Sequence, residues 1–113
     1  MKGERLGEFE EIILLAVCNL RGEAYGVSIQ DFLATDAGRP ASVGAIYAAL
    51  ERLERKGFIR SHVGGATSER GGRRKRYYDV TGAGLETLAD VRAVRERLWR
   101  GLRDLGLSGG PAA

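Results

Sequence analysis

Apolar positions near the start of the chain recur at helical spacing. Phe9, Ile13, Ala16 and Leu20 form one stripe, and Ile12, Leu14, Leu15 and Val17 carry it most of the way round, which predicts a helix from about Gly7 to Leu20. A helix apolar on nearly every side has to be buried on nearly every side, so a partner surface beyond the chain's own core is expected. Gly22 supplies a stop. Tyr25, Ile29, Phe32 and Leu33 mark a second helix, Gly26 to Asp36, broken by Gly38 and Pro40. Ser42 is an N-cap for a third helix, Val43 to Lys56, which Gly57 ends. Its apolar stripe is Val43, Ile46, Leu50 and Leu53. The opposite face holds Gly44, Ala45, Ala48, Arg52 and Arg55, with Tyr47 on the flank. That outward face is small near its start, which allows close approach to another surface, and basic near its end.

Two short β-like runs follow, Phe58 to Val63 and Arg76 to Val80. The segment between them contains four glycines and gathers Arg70, Arg73, Arg74 and Lys75 in its second half. It is too long for a tight turn, and loops of such length are usually functional or disordered. Thr81 caps a last helix expected to run to about Leu105. Leu88, Val91, Leu98, Leu102 and Leu105 fall on alternating three- and four-residue steps, a heptad seam in which Arg95 is the one polar residue. A partner-chain carboxylate or water is expected to satisfy Arg95, and Trp99 flanks the seam. The tail, residues 108–113, is expected to be disordered.

Composition narrows the chemistry. The 113 residues suit one domain with a modest core, and 43% of them are hydrophobic. The longest apolar run, Ile12 to Cys18, is far short of a membrane span. The single cysteine and the lack of a basic-plus-apolar leader predict a cytoplasmic protein. One cysteine and one histidine leave nothing for a zinc site or a nucleophile dyad, so neither an enzyme nor a cofactor or metal is expected. Cys18 reads as a small core residue and His62 as strand or wing packing. Tyr77 and Tyr78 must point to opposite strand faces, one to the core and the other towards the wing.

The net charge of +3 is unevenly spread. Residues 1–38 carry three basic and seven acidic side chains, residues 39–78 ten and three, and residues 79–113 five of each. The basic excess therefore sits in the block holding the third helix and the loop, as a polyanion-binding face requires.

Three helices, a strand, a basic glycine-rich loop, a strand and a long helix make the winged helix-turn-helix plan: mainly α with a small β-hairpin and a C-terminal dimerisation helix. The expected organisation is a DNA-binding domain over 1–80, a dimerisation helix over 81–107 and the tail. The third helix is expected in the major groove and the loop, as wing, on phosphates or the minor groove. Arginine forks suit phosphate. Arg70, Arg73, Arg74 and Lys75 with Gly72 form the wing contacts, joined by Tyr47, Arg52 and Ser42. A winged-helix protein–protein module without DNA binding is the alternative, but it has no use for so basic a loop.

Five segments in order sharpen this reading: Leu6-Gly7-Glu8-Phe9-Glu10, Gly22-Glu23-Ala24-Tyr25-Gly26, Gly44-Ala45-Ile46-Tyr47 with Leu50-Glu51-Arg52-Leu53-Glu54, Glu69 to Tyr78, and Thr81-Gly82-Ala83-Gly84. Together they resemble the PadR family of bacterial transcriptional regulators, over residues 6 to about 90. The resemblance implies a winged-helix homodimer on palindromic double-stranded operator DNA, acting as a repressor released by a small-molecule effector or a stress signal, with Tyr47 and the Gly72-to-Lys75 wing on DNA. The chain looks like the short subfamily, with one helix after the wing. Some short relatives bind flat aromatic drugs through a tryptophan on that helix. Trp99 and Arg95 are therefore the candidate ligand contacts, although Trp99 lies about one turn further from Thr81 than in those relatives, and dimer packing is the favoured role for it.

Overall fold

A computed structural model describes residues 5–64 and 74–106. In order they form α1 (Glu8–Leu20), α2 (Gly26–Thr35), α3 (Val43–Arg55), β1 (Ile59–Val63), β2 (Arg76–Val80) and α4 (Gly82–Gly101), then a 3₁₀ turn over Leu102–Leu105. This is the mainly helical winged-helix arrangement that the sequence predicts. Arg70, Gly72 and Arg73 of the predicted wing, and the tail, lie outside the described residues.

The first three helices close round one core because each offers an apolar stripe. Ile13 and Leu14 of α1, Ile29 and Leu33 of α2, and Ile46 and Leu50 of α3 are all at most 1% exposed. Burying each such side chain contributes about 1.5–3 kcal/mol. The strands pair antiparallel with Ser61 opposite Tyr78 and His62 opposite Tyr77. Tyr78 points into the core and Tyr77 to the other face, as strand alternation requires. The free edge of β2 is closed by the turn after α1, where Tyr78 N–H donates to the Ala24 carbonyl at 2.9 Å.

Both predicted caps form. Ser42 Oγ accepts from Ala45 N–H at 3.1 Å, and Thr81 Oγ1 accepts from Gly84 N–H at 3.1 Å. Thr81 does more than cap. Its hydroxyl donates to the Gly57 carbonyl at 2.7 Å and its N–H to the Phe58 carbonyl at 3.0 Å, which fastens the root of α4 to the turn after α3. A side chain at position 84 would run into the Phe58 carbonyl oxygen, so that close approach requires glycine.

Four local expectations change. α1 ends at Leu20 as expected, but the residue that stops it is Arg21, in the left-handed region at φ 46°, one position ahead of the expected Gly22. The buried stripe of α3 is Ile46, Ala49, Leu50 and Leu53, while Val43, in the first turn and outside that buried span, is 37% exposed. α4 ends at Gly101, and the 3₁₀ turn takes Leu102 and Leu105 out of the straight heptad register. Finally, α1 finds much of its cover within its own chain. Leu15 alone of its large apolar side chains stays exposed, beside a groove of about 430 Å³ between α1 and α4.

Candidate nucleic-acid interface

The outward face of α3 exposes Gly44, Ala45, Tyr47 and Ala48. Around Tyr47 the first half of this face carries only Gly44, Ala45 and Ala48, so the helix backbone can come close to a groove wall there, while Glu51, Glu54 and Arg55 are exposed further along the helix. Tyr47 is 45% exposed and crosses to the start of α2, where its hydroxyl fills the place a side chain on Gly26 would take. Ser42 is exposed at the start of α3, with its hydroxyl committed to the cap.

The next residue towards the wing continues the surface. Tyr25 meets the Tyr77 ring edge-on, with centroids 5.4 Å apart, and His62 stacks on Tyr77 at 5.9 Å. Lys75 lays its ammonium 4.9 Å from the Tyr25 ring centroid, a cation–π contact that holds the charge at the wing root. Gly64 N–H donates to the Lys75 carbonyl at 2.6 Å, so the two stems of the loop are tied together. Arg74, Lys75 and Arg76 are all exposed. Arg76 also donates from Nη1 to Ser61 Oγ at 2.9 Å, and Ser61 donates in turn to Glu54 at 2.8 Å. Tyr47, Gly26, Tyr25, Tyr77 and Lys75 thus form one continuous run of neighbours from α3 to the wing, with Gly26 buried beneath it. No sequence pattern joins these positions, but three of them are tyrosines, and the Tyr25-Gly26 pair was already visible as a motif.

Arg52 lies elsewhere. Its Nε donates to Glu10 Oε2 at 2.8 Å, and Lys56 Nζ donates to Glu10 Oε1, also at 2.8 Å. The Gly7 N–H adds a third donor to Oε1 at 2.8 Å. Glu10 is only 5% exposed. Burial raises its carboxyl, but the hydrogen bonds from Lys56, Gly7 and Arg52 outweigh that and hold it at about 2, below the ordinary 4.5. Sequence reading missed this site, because an acid in the first turn of a helix usually serves only the helix dipole. Arg52 therefore turns towards α1 while remaining 43% exposed.

Arg95 also finds its partner within its own chain. Nη2 donates to Glu11 Oε1 at 2.6 Å and Nε to Glu11 Oε2 at 3.2 Å, and this fork raises the guanidinium's already high pKa. No partner-chain carboxylate is needed. The seam of α4 divides at this point. Leu88 packs against the chain's own core and Val91 is half-buried, whereas Leu98 and Leu105 are 69% and 73% exposed, and Leu102 is intermediate. Trp99, 55% exposed, borders a shallow hollow with Glu96, Arg100 and Arg103.

The remaining candidates are quiet. Cys18 is partly buried, and burial pushes its thiol up, away from the reactive thiolate. Among the described residues no cluster of His, Cys, Asp or Glu could hold a metal ion, and no helix is long and apolar enough to cross a membrane.

Residues 14–90 match the Transcriptional regulator PadR-like family. A PadR family transcriptional regulator from Eggerthella lenta is 31% identical with a TM-score of 0.66, over 87% of this chain and 85% of that one. A PadR-like transcriptional regulator from Bacillus cereus is 24% identical with a TM-score of 0.69, over 88% and 92% respectively, and shares the fold. Bacillus subtilis PadR in complex with operator DNA is 26% identical with a TM-score of 0.60, over 73% of this chain and 46% of that one. No curated protein matches. With well over half its length matched and the winged-helix geometry in place, the chain belongs to the PadR-like family of transcriptional regulators, which are not enzymes.

Proposed function

We propose that the protein is a homodimeric, sequence-specific DNA-binding repressor acting in the cytoplasm on a palindromic operator and released by a small molecule or a stress signal. The carrying observation is the contiguous surface from the small outward face of α3, through Tyr47 and Tyr25, to Arg74, Lys75 and Arg76. Its small face can enter a major groove while its basic end meets phosphates. Arg70, Gly72 and Arg73 extend that end in sequence. Ser42 serves at the start of the recognition helix, and the exposed part of Arg52 adds a phosphate contact at its other end. The DNA complex of Bacillus subtilis PadR supports the same use of the fold.

Dimerisation falls to α4. Val94, Leu98, Trp99 and Leu105 expose apolar surface on the helix that leaves the domain, and a second copy of α4 would cover it. Val91 and Leu102 border that surface, while Leu88 mainly joins α4 to its own domain. Trp99 is also the side chain open to an effector. Arg95 would meet one only by leaving Glu11.

The test is a fluorescence-polarisation titration with the gene's own upstream DNA beside a scrambled duplex at two salt concentrations. The expected result is preference for the upstream DNA and a log–log salt slope of about −0.9 per phosphate contacted. Absence of binding to either duplex at low salt would overturn the reading.

A further inference from the structure

Glu10 and Glu11 are neighbours on α1, and consecutive residues of a helix point about 100° apart. One carboxylate therefore meets α3 and the other α4. Glu10 takes Arg52 and Lys56 from the end of the recognition helix, and Glu11 takes both donors of the Arg95 fork. We propose that this pair of glutamates, clasping α3 on one side and α4 on the other, sets the angle between recognition helix and dimerisation helix and thereby fixes the operator half-site spacing the dimer accepts. The inference rests on the DNA-binding dimer proposed above.

The geometry leaves α4 little else to set its direction. Its root is fastened by Thr81 and Gly84, and Leu88 packs on the core one turn later. From Arg92 to Gly101 every residue is exposed. Among the described residues, Arg95–Glu11 is the one hydrogen-bonded tie from that stretch to the domain. Glu11 is itself largely enclosed, its side chain 16% exposed, so the carboxylate end of the fork is held in place while Arg95 reaches it from the exposed side of α4. On the other side Glu10 is buried and triply hydrogen-bonded, and cannot follow a shift of α1 without carrying Arg52 and Lys56 with it. A rigid join matters because one base pair of spacing moves a half-site by about 3.4 Å and turns it by about 36°. A small change in helix angle, magnified along α4, is of that size. Glu10 and Glu11 are positioning residues in this scheme and need touch no DNA.

The test begins with an operator selected by the wild-type protein from randomised duplexes, from which a series is made with the half-sites moved one or two base pairs together or apart. The wild type is expected to lose about tenfold in affinity per displaced base pair. Glu11→Gln, on an enclosed but non-core position, is expected to cut that penalty to about threefold and to leave affinity for a single half-site duplex within about twofold. Lys56→Gln, which strips one cation from Glu10, is expected to act the same way. The exchanged pair Glu11→Arg with Arg95→Glu is expected to restore the wild-type penalty, which a general loss of stability would not do. Single variants that keep the full spacing penalty, or lose half-site and full-site affinity equally, overturn the inference and leave the DNA-binding reading standing. A wild type that selects no consensus overturns both.

Discussion

The Tyr47 hydroxyl occupies the space that a side chain on Gly26 would need, so α3 and the start of α2 are fitted to each other through one tyrosine and one glycine. Gly84 looks similar but meets the Phe58 backbone carbonyl instead. The difference decides what substitution does. The tip of a 45% exposed tyrosine can swing aside, while a backbone carbonyl in a tied turn cannot.

Gly26→Ala should therefore cost less than about 1 kcal/mol of stability, while Gly84→Ala should cost about 1–3 kcal/mol. Urea unfolding measures both. Gly26→Ala should still weaken operator binding, because it displaces Tyr47 from the contact surface. Equal destabilisation by the two variants would contradict this account of the two contacts.

Acid should expose the Glu10 site. Its folded pKa of about 2 lies below the ordinary 4.5, so its contribution is complete above about 4.5 and is lost as the pH falls through about 2. At 1.36 kcal/mol per unit the contribution is roughly 3 kcal/mol. The stability gap between wild type and Glu10→Gln, measured by chemical denaturation, should be largest near neutrality and should shrink through that window. A gap independent of pH would mean that the charge on Glu10 is not what binds α3 to α1.

At the wing root, replacing Arg74 and Lys75 with alanine should weaken binding to all duplexes alike and lower the salt slope by about 0.9 for each phosphate contact removed. Thermal stability should hardly change, because both side chains are exposed. Unaltered affinity and slope would remove the wing root from the interface.

Leu98→Glu places a charge on the exposed apolar side of α4. The variant should sediment as a monomer and lose tight operator binding while its circular dichroism stays that of the folded domain. A surviving dimer would locate the interface on another face.

Much of this molecule follows from local sequence. Helix and strand positions came from the spacing of apolar residues, and the Ser42 and Thr81 caps from residue type, because hydrogen bonds and periodicity within one element involve near neighbours. The opposite facing of Tyr77 and Tyr78 needed only the pleat of a strand. The winged-helix order and the family were legible for the same reason, as motifs in sequence. The tertiary structure decided what local pattern does not encode, namely which distant groups meet once the core has closed. Glu10 and Glu11 read as acids in a first helical turn, yet their cations lie 42 and 84 residues away on α3 and α4. The same closure turned Arg52 towards α1, gave Arg95 a partner in its own chain and joined Tyr47 to the wing through residues 25 and 26. Burial makes such pairings matter, since a carboxylate shut away from water must find its cations within the fold.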